Sequence, residues 1–279
     1  MEWFESIILG LVQGLTEFLP VSSSGHLEIG KQVLGVQATD DLMFTTMVHA
    51  GTVLSTIVVF RKQIWDLLRG FFCGLSGIRI RGGALMCNDQ TDYLFKIVVS
   101  MIPVLVVGLF FKDQVEALFG SITVVAYALI VTALLLFFSD FASRPGKSLV
   151  SGKEYRNGIS YWQAFVVGLG QAFAVVPGLS RSGTTISTGL ICGVKRSAMA
   201  QFSFLMVLVP ILGESVLELF KGEFTTSSIG ALPLLLGFLS AFVSGLLACK
   251  LMIALVKKAR LSYFAVYCLI AAAAIFIFG

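Results

Sequence analysis

Apolar runs of helix length alternate along the chain with short polar breaks. Six of them approach the roughly 20 residues an α-helix needs to cross a bilayer. They are Leu42 to Phe60, Leu94 to Phe111, Ile122 to Phe138, Phe202 to Phe220, Ile229 to Cys249 and Leu261 to Phe278. Pro103 predicts a kink in the second, and Glu214 and Glu218 interrupt the fourth. Between the runs lie a loop from Arg61 to Asp92, a short polar turn from Lys112 to Gly120, and a polar stretch from Ser139 to Ser160 that separates two halves.

Two stretches follow another pattern. Trp3 to Leu19 is apolar apart from Glu5, Gln13, Glu17 and a few small polar residues. It stops at Pro20, passes through the hydroxyl-rich break Val21 to Gly25, and resumes from His26 to about Val36. Tyr161 to Val176, Pro177 to Gly183 and Thr184 to Val194 repeat the sequence of helix, polar break and short helix. Each piece is too short to span. The pattern predicts a re-entrant hairpin, whose irregular backbone is tolerated at membrane depth only where protein or a water-filled cavity surrounds it.

The two stretches match at a constant offset of 158 residues: Gly10/Gly168, Leu11/Leu169, Gln13/Gln171, Ser22/Ser180, Ser24/Ser182 and Gly25/Gly183, and further on Gly35/Gly193, Val36/Val194 and Phe44/Phe202. A fixed offset over this length reads as an internal duplication, with repeats of about 1–138 and 160–278. Each unit is a hairpin followed by three spans. Three is odd, so the second unit is expected upside down relative to the first. The predicted fold is an all-α integral membrane protein with an inverted-topology repeat in a single membrane domain.

Charge tests that count. With the Arg61–Asp92, Ser139–Ser160, Lys195–Arg196 and Lys250–Arg260 regions on one side, sixteen of the twenty basic residues gather there, Lys96 included. By the positive-inside rule this side is cytoplasmic and both termini lie outside. The first hairpin then opens outward and the second inward. Composition agrees: the chain is 57% hydrophobic and 13% charged, with mean hydropathy +0.92, against roughly a quarter charged in soluble domains. Nothing points to nucleic acid, because the basic residues follow the membrane topology. The five cysteines are scattered without metal-ligand spacing and read as reduced. Glu2 and Glu5 stand where a signal peptide would carry positive charge.

The breaks hold the chemistry. Short helices starting there offer free N–H groups and the positive end of the helix dipole, which suit an anion. Ser22, Ser23, Ser24, Gly25, Ser180, Ser182, Gly183, Thr184 and Thr185 line those starts, and Arg181 adds a planar fork suited to phosphate. Gln13 and Glu17 share a helix face at i, i+4. Glu17, a serine hydroxyl, His26 and Arg181 form a minimum kit for phosphoryl or acyl transfer. Plainer roles stay open: an Arg181–Glu17 ion pair that locks the fold, serines that cap helices, and His26 as a core histidine. His49 lies in a span without a matching cluster and is taken as structural.

Gln13-x-x-x-Glu17, Pro20-Val-Ser-Ser-Ser-Gly-His26 and Pro177-Gly-Leu-Ser-Arg-Ser-Gly-Thr-Thr185 together resemble the BacA-type undecaprenyl-diphosphatase family of bacterial inner membranes. The resemblance runs the whole chain. It implies removal of the terminal phosphate from undecaprenyl diphosphate, returning the monophosphate carrier to peptidoglycan synthesis, at a site open to the outer side. It also implies dependence on a divalent cation, Mg²⁺ or Ca²⁺, for which Glu17 is the candidate ligand. Arg181, Ser180, Ser182 and Thr185 would bind the diphosphate, Ser23 would attack, and His26 would be general acid or base. Attack by His26 itself, or by water activated by Glu17, is left open. The expected partners are a polyprenyl diphosphate and membrane lipids, with a homodimer among the assemblies left open. The rival class is a lipid-phosphate transporter or flippase using the same midplane anion site.

Overall fold

A computed structural model describes residues 1–36, 41–74, 79–81, 84–86, 88–118, 121–143, 155–213, 229–258 and 260–278. Glu214 and Glu218 lie outside them. Helix dominates. Five helices are long and apolar enough to cross a membrane, and Ser262–Phe278 is a shorter apolar one. The chain is therefore a multi-pass α-helical membrane protein.

The first hairpin is α1 (Trp3–Phe18) and α2 (Ser23–Leu34). At 1.5 Å per residue they are about 24 and 18 Å long, both shorter than a hydrocarbon core of about 30 Å. α1 ends where Leu19, the residue before Pro20, is pushed to extended backbone (ψ 145°). The Ser22 side chain then caps α2 by accepting from the Gly25 N–H at 3.2 Å. α2 stops at Gly35, which takes the left-handed conformation (φ 68°).

The second hairpin follows the same plan. α7 (Tyr161–Phe173) starts at a capping box between Ser160 and Gln163. α8 (Arg181–Ile191) starts at Ser180, whose side chain accepts from the Gly183 N–H at 3.1 Å. Between them Val176-Pro177-Gly178-Leu179 makes a tight turn, closed by a Leu179 N–H to Val176 carbonyl bond of 3.1 Å with Gly178 at φ 86°.

The remaining elements are α3 (Asp41–Gly74), a two-stranded hairpin of β1 (Arg79–Arg81) and β2 (Ala84–Met86), α4 (Asp89–Phe110), α5 (Lys112–Glu116) and α6 (Ile122–Ala142). They are followed by α9 (Arg196–Met206), α10 (Ala231–Lys258) and α11 (Ser262–Phe278). After a turn at Val207, helix resumes over 208–213, and Arg196–Gly213 counts as one candidate span. Two expected boundaries are corrected. α3 does not end at Phe60, because Ile64 and Leu67 keep helical spacing and pack on the core, and Asn88 Nδ2 donates to the Gly70 carbonyl at 2.6 Å. α10 does not end at Cys249, because Met252 and Val256 continue its fully buried stripe.

Each hairpin packs against a helix that follows the other one. α1 lies on α10, the second long helix after the second hairpin, and α7 lies on α4, the second long helix after the first. Gly10 and Gly168 make the closest approaches to another helix's backbone among the described residues. A Cβ on Gly10 would strike the Gly237 carbonyl, and one on Gly168 would strike the Ser100 carbonyl. Small residues at such crossings let helix backbones meet where no hydrophobic force drives them together. Phe18, Leu129, Ile186, Phe202, Phe204 and Met206 are among the buried residues that join both halves in one core. Buried ion pairs fasten the helix ends. Lys96 reaches Asp92 at 2.6 Å, with Tyr161 and Asn157 also donating to Asp92, and Arg196 reaches Asp140 at 2.6 Å.

Candidate active site

The two breaks meet. Gly178 N–H donates to Ser24 Oγ (3.3 Å) and Ser182 Oγ donates to the Leu19 carbonyl (3.1 Å), so each break is braced by the other. A Cβ on Gly25 would lie 3.5 Å from Gly178 Cα, and one on Gly183 would lie 3.3 Å from Pro20 Cβ. The starts of α2 and α8 are therefore neighbours. The first N–H groups of a helix lack an intrahelical acceptor, so two electropositive ends share one place.

Glu17 sits at that junction with its side chain only 9% exposed. Ser23 Oγ donates to Glu17 Oε2 at 2.6 Å, and Gln13 Nε2 donates to the same oxygen at 2.8 Å. Arg181 Nη1 stands 4.0 Å from Glu17 Oε1, an ion pair without a hydrogen bond, and is buried with no hydrogen-bond partner among the described residues. A buried guanidinium nitrogen in that condition suits an arriving anionic oxygen. Gln13 Oε1 and Thr184 Oγ1 are likewise buried and unpartnered among the described residues.

Glu17, Arg181, Ser182, Thr185, Thr52 and Thr56 are the polar lining of a small, partly open cavity. Phe18, Val53, Phe204, Val207, Leu208 and Ile211 form its apolar walls. A lining that combines charge with branched aliphatic side chains suits an amphiphile.

The remaining hydroxyls are mostly scaffold. Ser22 and Ser180 cap their helices, and Ser24 braces Gly178. Thr185 Oγ1 hydrogen-bonds within α8 and to Ser203 Oγ at 2.7 Å, although it also lines the cavity. His26 faces another way. Its Nδ1 lies 2.7 Å from the Ser22 carbonyl, which can only accept, so this nitrogen donates. Its Nε2 lies 2.7 Å from Tyr267 Oη. Ser23 thus has Glu17, not His26, as its proton acceptor in the structure.

His49 joins the cluster that the sequence reading left it out of. Its Nε2 is 3.9 Å from Glu17 Oε2, and Nδ1 donates to the Thr45 carbonyl at 2.8 Å. The signal was present: Thr45, His49, Thr52 and Thr56 recur at helical spacing along α3 and give a polar stripe in a spanning helix. Gln171, noted in sequence only as the match of Gln13, and Ser203, which did not stand out there, also line the cavity.

The donor set bears on a cation. Among the described residues no three of His, Cys, Asp and Glu gather as an ion-holding group. Glu17 and the unpartnered Gln13 Oε1 supply hard oxygens, which fit an ion shared with substrate phosphates better than a protein-only cage.

The sequence matches the family model described as Bacitracin resistance protein BacA over residues 6–274. Curated relatives named Undecaprenyl-diphosphatase cover nearly the full chain. The Bacteroides thetaiotaomicron protein is 50% identical over 281 residues, spanning 99% of both chains. The Christiangramia forsetii protein is 45% identical, spanning 100% of this chain and 99% of its own. The Methanobrevibacter smithii protein is 38% identical, spanning 99% and 97%.

Proposed function

The chain belongs to the bacitracin resistance protein BacA family, and from that premise we propose that it hydrolyses undecaprenyl diphosphate to undecaprenyl phosphate and inorganic phosphate, which recycles the lipid carrier for peptidoglycan synthesis. It is a phosphatase of a phosphoric anhydride. The observation that carries the mechanism is the short Ser23–Glu17 hydrogen bond of 2.6 Å beside an Arg181 nitrogen that lacks a hydrogen-bond partner. The names of its relatives favour this enzyme over a lipid transporter, and so does a hydroxyl–carboxylate pair confined to one of the two breaks.

The substrate's diphosphate lies at the starts of α2 and α8, against Arg181 and Ser182. Its prenyl chain leaves along the Val53, Leu208 and Ile211 wall toward lipid. Ser23 Oγ attacks the terminal phosphorus while its proton passes to Glu17 Oε2. The anhydride P–O bond breaks, and undecaprenyl phosphate departs with the bridging oxygen. That leaving group is already a stable anion, so it needs electrostatic help from Arg181 and the helix ends more than a proton. Glu17 gives up its proton to solvent. It then takes one from a water that attacks the phosphoserine, Ser23 Oγ leaves and recovers that proton from Glu17, and inorganic phosphate is freed.

A Mg²⁺ or Ca²⁺ ion would be held by Glu17 and Gln13 Oε1 together with substrate oxygens, and when bound it would neutralise phosphate charge. The reading of the two units as an inverted repeat rests on the odd number of spans expected in each. Taking the side with sixteen of the twenty basic residues as cytoplasmic, this reading has the protein in the plasma membrane and the Glu17 hairpin open to the outside.

The test compares two variants under rapid quench. Ser23→Ala is expected to abolish turnover while keeping diphosphate binding. His26→Gln is expected to retain slow hydrolysis, and an acid-stable phosphoserine is expected in the unmodified protein. A base-stable, acid-labile phosphohistidine instead, with His26→Gln inert and Ser23→Ala leaky, would overturn the assignment. Residual turnover in both variants with no adduct would move the attack to water.

A further inference from the structure

Ser22 carries an unusual backbone. It has φ 71° and ψ 101°, in the region that favours glycine, and only Asn157 shares a positive φ among the described non-glycine residues. Such a conformation persists only where its surroundings enforce it. The enforcing contacts can be traced. The Ser22 carbonyl accepts from the His26 backbone N–H at 3.2 Å and from His26 Nδ1 at 2.7 Å. With Nδ1 committed as donor, the neutral ring presents Nε2 as an acceptor, and Tyr267 Oη donates to it at 2.7 Å. The two rings lie near-parallel, 12° apart. One residue further along α11, Cys268 Sγ donates to the Pro20 carbonyl at 3.6 Å. The C-terminal helix therefore grips the first break at adjacent points. The residue that follows Ser22 is Ser23, whose hydroxyl must stay on Glu17.

We propose that Tyr267 is a positioning residue: through His26 it holds Ser22 in its left-handed conformation, and that conformation aims Ser23 Oγ at Glu17. The proposal rests on the reading of Ser23 as nucleophile and Glu17 as its base. It gives His26 work that needs no contact with substrate. It also explains why His26 turns toward α11 while Ser23, three residues earlier, turns toward α1. Glycine adopts the Ser22 conformation without steric cost and is nearly as good a helix cap. The need for the clamp should therefore fade when residue 22 is glycine.

The experiment is a double-mutant cycle on the full-length protein in detergent, reading phosphate release from a polyprenyl diphosphate. Tyr267→Phe, which keeps the ring and removes the donor, is expected to lower kcat about tenfold with KM within about twofold, as expected when only transition-state geometry is lost. Made in the Ser22→Gly background, the same change is expected to lower kcat less than about threefold. An equal penalty in both backgrounds, or none in either, overturns the proposal. A loss that falls on KM also overturns it, because Tyr267 would then be touching the lipid headgroup. Amide hydrogen exchange over residues 20–27 keeps the question separate from the activity itself. Faster exchange in Tyr267→Phe, much reduced by Ser22→Gly, supports the clamp even if no phosphate is released by any form, which would count only against the proposed reaction. Unchanged exchange counts against the clamp.

Discussion

Glu17→Gln tests the base with the least change in the shape of the site. The amide is nearly isosteric with the carboxylate. Its oxygen can still accept from Ser23 Oγ, which lies 2.6 Å from Glu17 Oε2, so the serine is expected to stay in place. What is lost is the ability to take the proton, and with it the negative charge that would help hold a cation. General base assistance is typically worth 10²–10⁴-fold, or about 2.7–5.4 kcal/mol at 1.36 kcal/mol per factor of ten. The charge change pushes binding the other way. Arg181 Nη1, 4.0 Å from Glu17 Oε1, loses its protein counter-ion and faces the diphosphate alone. The expected result is therefore a kcat lower by at least about 10², with a KM that is unchanged or lower. The assay is phosphate release from a polyprenyl diphosphate over a substrate series, with gel filtration and thermal melting to show that the variant is folded. A kcat within about threefold of the unmodified protein, or a loss carried by KM, would refute the assignment of Glu17 as base.

Other expectations follow from the same geometry. Arg181→Lys keeps the charge but not the two-pronged fork, so kcat/KM is expected to fall severely; near-normal turnover would make Arg181 a structural residue. Gly168→Val would drive a side chain into the Ser100 carbonyl and part α7 from α4. Overpacking of this kind typically costs about 1–3 kcal/mol or more, so a clear drop in melting temperature is expected, and an unchanged one would show that the crossing is looser than described. In a background without native cysteines, Arg79→Cys and Tyr155→Cys are expected to label only from the cytoplasm and Asp113→Cys only from outside. Labelling of all three from one side would remove the inverted repeat.

Much of this was legible in the chain because membranes impose strong rules. Hydrophobic length predicted the spans, and the constant offset joining Ser22 to Ser180 and Gly25 to Gly183 predicted two breaks with one plan. Both serines cap their helices with the same geometry. Helix ends were less legible. α3 runs on to Gly74 because Ile64 and Leu67 pack on the core although charged residues surround them, and charge density had suggested a loop. Pairing across the site was legible for Arg181 and Glu17, which lie 4.0 Å apart, and not for the histidines. His49 belongs to a span and His26 to a motif, so sequence weighted His26. The fold turns His26 toward Tyr267 and brings His49 to 3.9 Å from Glu17. The partners of His26 and Glu17 lie on α11 and α3, and no local pattern reports which rotamer will reach them.

The central claim is cleavage of the anhydride bond at the Ser23–Glu17 pair. It is tested most directly with undecaprenyl diphosphate labelled only at its terminal phosphate, incubated with the purified protein in detergent. The account predicts that the label leaves as inorganic phosphate, that unlabelled undecaprenyl phosphate accumulates in equal amount, and that Ser23→Ala releases neither. Label retained on the lipid, label freed as inorganic diphosphate, or undiminished release by Ser23→Ala would contradict it.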